Sequence, residues 1–293
     1  MRRLWAIARA TALEMMSEPL SLLVLIGALA LAVFSPALHY HQFGEPTRMA
    51  RDAGLSALLL AGSVFAVFGT HRTVRRELES GTAAVAVAIA VTRTRFLLGK
   101  ALGAFLAFLV FAVTVAAVSL TVTKGAAIGG EIAAVSGDIP KLWGPSYALG
   151  VASVVLPCLV AAALNRFARC RFCLTAFLLT VLVGLASTAY RFDAALLGRL
   201  APVWVAMASV TVVYLVATAA LSVRFRTNAA LGGVAALALL SLPYVGNHCL
   251  SDALSRNGSV GWGHCLALAG ATLPAVAAFL LLGAAYVNER DLV

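Results

Sequence analysis

Between two apolar runs lies a stretch, Arg76 to Lys100, that reads RELESGTAAVAVAIAVTRTRFLLGK. It gathers the carboxylates of Glu77 and Glu79, the small polar group Ser80-Gly81-Thr82, and the cations Arg93, Arg95 and Lys100. Carboxylate and hydroxyl oxygens suit the free amides at helix starts, so Glu77, Glu79 and Thr82 are expected to cap or charge them. Gly81 permits a break, and Ala83–Val91 is small and apolar enough to lie along a membrane interface. Arg93 and Arg95 then hold it to the headgroups before the next apolar run. This is docking chemistry rather than catalysis. The plainer alternative is an ordinary basic loop. A nucleotide site is excluded, because the only Gly-Lys pair, Gly99-Lys100, is followed by Ala101. A phosphate loop needs G-x-x-x-x-G-K-[ST], whose backbone amides cradle phosphate and whose hydroxyl holds the metal.

The other residues with reactive side chains are cysteines and histidines. Cys158 falls within an apolar run and reads as a small core residue. Cys170 and Cys173 form a lone C-x-x-C, and a structural zinc site needs four ligands. His248-Cys249 and His264-Cys265 flank one connection, while His39 and His41 sit on another. Three readings stand side by side for the His-Cys pairs. One is a disulfide between Cys249 and Cys265, favoured by an oxidising exterior. The second is a soft-metal site of His248, Cys249, His264 and Cys265. The third is unpaired residues at a membrane boundary.

The elements that must position these groups are membrane spans. Apolar residues make up 62% of the chain and charged ones 12%, with a mean hydropathy of +0.96, where a soluble domain is near half apolar and a quarter charged. Charge-free runs cover Pro19–Gly44, Ala53–His71, Ala101–Thr123, Leu142–Asn165, Phe172–Tyr190, Leu200–Val223, Thr227–Ser251 and Asn257–Asn288. Each holds about 18 to 25 helical residues, enough to cross a bilayer core. The expected fold is therefore an all-α, polytopic membrane bundle of about eight transmembrane helices. Residues 1–18 are expected to form an interfacial amphipathic helix, with Leu4, Trp5, Ala8, Ala12, Met15 and Met16 near one face. Residues 19–293 form the transmembrane domain, with the docking segment at about 71–100. The connection Lys124–Trp143, rich in Gly and Pro, is expected to be irregular with one short helix.

Of the 22 Lys and Arg residues, 15 fall on the side of the N-terminus and 7 on the other. That bias places both termini in the cytoplasm of a multi-pass protein of the cytoplasmic (inner) membrane. The net charge of +10 is spread over short loops, which reads as an orientation signal rather than a nucleic-acid surface. Glu14 and Glu18 separate Arg2 and Arg3 from the first apolar run, unlike the contiguous basic and apolar regions of a cleaved signal. No acidic or basic residue lies inside the eight runs, which speaks against an ion-coupled transporter or a membrane hydrolase built on buried carboxylates. Energy for any work must come from a partner.

The stretch from Glu77 to Lys100 resembles the cytoplasmic motif of ABC-2-type permeases, the membrane subunits of type V ABC exporters. That motif runs roughly E-x-x-x-G-T-L, an apolar stretch, P-[VI]-[ST]-R and then G-K. Glu77, Gly81, Thr82, Val91, Thr92, Arg93, Gly99 and Lys100 match it. Ala83 stands where Leu is common and Ala90 where Pro is usual. The leading helix is similar to the family's elbow helix, and the resemblance covers the N-terminal part of the chain; the family more commonly has six spans. It implies a permease that pairs with a second permease copy or homologue and with separate ABC ATPase subunits. ATP and magnesium would then act only through that partner. It also implies that Glu77, Glu79, Ser80, Gly81, Thr82, Thr92, Arg93, Gly99 and Lys100 form the coupling element. The expected function is the permease subunit of an ATP-driven exporter, with no enzyme activity of its own. The alternative is a non-transport integral-membrane scaffold or assembly subunit.

Overall fold

The computed structural model describes residues 2–35, 46–80, 92–136, 145–190, 193–225, 227–245 and 262–289, and within them the regular elements are all helices. In chain order they are α1 (Arg2–Ser17), α2 (Pro19–Phe34), α3 (Pro46–Glu79), α4 (Arg93–Ser136), α5 (Pro145–Ala168), α6 (Phe172–Tyr190), α7 (Ala194–Arg224), α8 (Thr227–Val245) and α9 (Trp262–Glu289).

Each of the eight apolar runs holds one of the helices α2 to α9 in its described residues, and successive helices from α2 onward alternate in direction. At one end, Gly54 of α3 lies against Ser119 of α4, Gly150 of α5 against Val33 and Val122, and Lys124 pairs with Asp193 at 3.4 Å. At the other end, Gly283 of α9 lies against Leu97 of α4 and Ala220 of α7. Buried α4 and α7, with α3, form the centre, and α5, α6 and α9 line the outside. Phe65, Phe108, Phe111 and Phe177 are fully buried where α3, α4 and α6 meet, with Phe65 and Phe111 stacked at 4.7 Å. The outer helices expose rows of leucine, such as Leu156, Leu159, Leu182 and Leu281, the surface a bilayer would cover.

The protein is thus an all-helical, multi-pass membrane bundle. Among the described residues six helices are long and apolar enough to cross a membrane: α3, α4, α5, α6, α7 and α9. The expected eight is not confirmed at two places. The described part of α2 has 16 residues and meets the length only together with α1, from which it is bent by 66°. In α8 the described side chains end at Leu239, and the stretch Thr227–Leu239 is by itself shorter than a span. The α1–α2 bend has a local cause. Glu18 is extended (φ −72°, ψ 135°) before Pro19, as the clash with the proline ring requires, and Pro19 then starts the next helix without needing an amide donor.

One expectation is corrected here. The Lys124–Trp143 connection is not irregular at its start, because α4 continues through Gly129 and Gly130 to Ser136. Two glycines cost about 1 kcal/mol each in a helix, too little to stop one that already has momentum from the apolar span and no proline before Pro140. Of the face expected for α1, Ala8, Ala12, Met15 and Met16 are buried, with Thr11 beside them, and Trp5 is 57% exposed.

Asp193 begins α7 by accepting hydrogen bonds from the amides of Leu196 (3.0 Å) and Ala195 (3.1 Å). The Leu196 amide, helped by Lys124, holds the carboxyl below its ordinary range.

Alternation yields a topology prediction. Cys170, in the turn between α5 and α6, is exposed, and so is Arg48 at the opposite end. In intact cells an impermeant maleimide should label an Arg48→Cys variant and leave Cys170 unlabelled, with the reverse in inside-out vesicles. Labelling of both from the same side would break the alternation.

Candidate functional site

The candidate site stands where α1, the end of α3 and the start of α4 meet. Its centre is Lys100, whose side chain is 2% exposed. The ammonium lies 2.6 Å from Glu77 Oε1 and 3.6 Å from Glu14 Oε2. Arg76 approaches both Glu14 and Glu18 at 3.7 Å, and Arg72 Nε lies 3.2 Å from Glu18 Oε2. Six side chains, from α1, the α1–α2 break, α3 and α4, therefore form one connected network with three carboxylates and three cations. Its formal charge is balanced, which lowers the cost of holding ions at the edge of an apolar bundle.

Local sequence explains the convergence. Arg72 and Arg76 are four apart on α3 and share one helix face, while Glu14 stands in the last turn of α1 and Glu18 at the extended break before α2, so both carboxylates fall beside that face. Gly99 and Gly103 on α4 bring α1 close. A Cβ at Gly99 would lie 2.8 Å from Ile7 Cγ2, and one at Gly103 would strike the Ala8 carbonyl oxygen and sit 2.6 Å from Thr11 Cβ. Gly69 of α3 likewise makes room for Met15. Thr11 is buried and returns its hydroxyl to the Ile7 carbonyl (2.9 Å).

Several coupling residues sit differently from expectation. Glu77 and Glu79 belong to the last turn of α3, not to a helix start. Carboxylates at a helix C-terminus face the negative end of the dipole, and each is compensated by a cation. Glu77 turns inward to Lys100, while Glu79, 61% exposed, accepts from Arg75 Nε at 2.6 Å. Thr92 takes the capping role instead, its hydroxyl accepting from the Arg95 amide at 3.4 Å. Gly99 serves helix packing. Ser80 directly follows α3 and is exposed. Gly81, Thr82 and the expected interfacial segment Ala83–Val91 lie outside the described residues, as does the side chain of Arg93.

The sequence reading missed a second link at the same end. His71 of α3 is buried, and its Nδ1 is hydrogen-bonded to Ser222 Oγ of α7 at 2.8 Å. Beside it Arg75 donates to the Phe225 carbonyl at 3.4 Å, and Phe225 meets Tyr286 of α9 edge-on at 6.2 Å. The available signal was that His71 is the one histidine on the Arg-rich side of the chain.

At the opposite end, Cys265 is a buried free thiol. Its expected partner Cys249, with His248, lies outside the described residues, as does the side chain of His264. Among the described residues no group of three His, Cys, Asp or Glu side chains is placed to hold a metal. No protein-family model matches this chain, and neither a curated protein nor a solved structure matches it.

Proposed function

We propose that this chain is the membrane permease subunit of an ATP-driven exporter, worked by a separate ATPase that docks at residues 79–92. The observation that carries this reading is the Lys100 network. The segment between α3 and α4 joins the ends of two central helices, and Glu77–Lys100 ties those ends together. Glu14 and Glu18 join α1 to the same unit. A push on that segment would therefore move α1, α3 and α4 as one body, and through His71–Ser222 would reach α7. Docking energy that differs between two membrane states biases their populations. The resemblance of Glu77–Lys100 to the ABC-2 motif supports the same reading. It adds a second permease copy, and ATP with magnesium held by the ATPase.

The geometry also selects the informative substitutions. Glu77→Lys would place a second ammonium against buried Lys100 and damage the fold, so loss of activity would say nothing about docking. Glu79 and Ser80 are exposed and suit the purpose. The chain, co-expressed with an ATPase encoded beside its gene, should co-purify with it and support vanadate-sensitive ATP hydrolysis. Glu79→Lys combined with Ser80→Arg should weaken that association about tenfold, equivalent to roughly 1.4 kcal/mol, with an unchanged unfolding temperature. Failure of any ATPase to co-purify would leave the scaffold reading in its place.

A further inference from the structure

A second charged feature lies away from the Lys100 network, at the turn from α5 to α6. From Ala162 to Arg171 every residue is exposed, so the end of α5 projects from the bundle. Three arginines, Arg166, Arg169 and Arg171, fall within this projection. Among the described residues none of them meets a carboxylate, and the sequence holds no Asp or Glu between Asp138 and Asp193. The network described above balances its cations; this turn does not. Between the arginines stands Phe167, 87% exposed.

The apolar surroundings say what would face these charges. Phe167 continues the exposed apolar surface of α5 and α6, formed by Leu156, Leu159, Leu164, Leu178 and Leu182, which a bilayer would cover. Arginines at the end of such a surface lie at headgroup level, where their stems stay on the apolar side and their guanidiniums reach phosphate. The backbone adds an independent observation. Arg169 has φ 53°, a left-handed conformation that glycine adopts freely and other residues at a cost. The chain carries an arginine at a helix end where glycine would be unstrained.

We propose that the α5–α6 turn is a binding site for the phosphate headgroup of anionic phospholipids, held by Arg166, Arg169 and Arg171 with Phe167 set into the lipid beside it. This site does not depend on the exporter reading. An anionic headgroup supplies the charge that the turn lacks, and a zwitterionic one supplies little net attraction.

The test uses the purified full chain in detergent, titrated with phosphatidylglycerol or phosphatidylcholine and read by native mass spectrometry. The wild type should retain phosphatidylglycerol preferentially. Each surface arginine contributes about a fivefold effect, so Arg166→Gln/Arg169→Gln/Arg171→Gln should weaken retention on the order of a hundredfold. Arg48→Gln/Arg51→Gln removes two charges at the opposite end, where Asp52 pairs them, and should leave the preference intact. Arg169→Gly is the discriminating single variant. It relieves the left-handed backbone, so its unfolding temperature should hold or rise while lipid retention falls about fivefold. Unchanged phosphatidylglycerol retention in the triple variant overturns the proposal. So does equal binding of inorganic phosphate and lipid, or loss of a co-purifying protein with lipid retention intact.

Discussion

Lys100→Met is expected to destabilise the protein by about 3–5 kcal/mol, the cost of stranding buried charge. The ammonium is 2% exposed, with Glu77 Oε1 at 2.6 Å and Glu14 Oε2 at 3.6 Å. Removing it leaves two carboxylates, each about a quarter exposed, facing an apolar side chain. Glu14 keeps Arg76 at 3.7 Å, but Glu77 loses its short contact. The double variant Glu77→Leu/Lys100→Met should recover most of that loss, because removing both ions together deletes the desolvation cost along with the attraction. Chemical or thermal unfolding of the purified chain in a fixed detergent measures both. A single variant as stable as wild type would mean that the pair is solvated in the folded state. A double variant as unstable as the single one would mean that Lys100 acts through packing of its stem and not through its charge. Lys100→Arg would keep the charge but needs more room than the α1–α4 contact provides, so it should fall between wild type and Lys100→Met.

The large features of this fold were legible, and the reasons are physical. Charge-free runs long enough to cross a bilayer must satisfy their backbone internally, and helices are the way to do so. Each of the eight runs is accordingly helical over its described residues, Ser35 at the end of α2 aside. Their ends were less legible, because the bilayer constrains the middle of a span and not its extension; α4 runs past Lys124 to Ser136 for that reason. The site shows the same division. Spacing of four puts Arg72 and Arg76 on one face of α3, although only the fold says that Glu14 and Glu18, on either side of the end of α1, meet it. Glu77 and Lys100 are 23 residues apart, and no periodicity connects them. They pair because α3 and α4 are antiparallel neighbours. The motif resemblance picked out both residues without telling that one answers the other. The partner of α1 was not legible either: spacing gives its apolar face, but only the fold shows that Ala8 and Thr11 sit close on Gly103 of α4, with Trp5 left outside that contact.

That close contact sets the second large effect. Gly103→Leu is expected to cost about 3 kcal/mol or more and to release α1 from the bundle. The Cβ alone would strike the Ala8 carbonyl oxygen, lie 2.6 Å from Thr11 Cβ and 3.1 Å from the Ala8 carbonyl carbon. A backbone carbonyl cannot rotate away as a flexible side chain can, so α1 itself must lift. Overpacking in a close-packed core costs about 1–3 kcal/mol, and displacement of α1 adds the exposure of Met15 and Met16. It also draws Glu14 and Glu18 away from Lys100, Arg76 and Arg72. The smaller Gly103→Ala should show the same direction with a cost at the lower end of that range. Gly27→Ala in α2 is the matched control, since a Cβ there meets nothing within 4 Å, and it should be neutral or mildly stabilising. Hydrogen exchange separates local release from global unfolding. In Gly103→Leu the amides of residues 2–17 should lose protection while those of α4 and α7 keep theirs. Wild-type protection across α1 in that variant would show that α1 does not depend on the Gly103 contact, and the Lys100 network would then be what holds it.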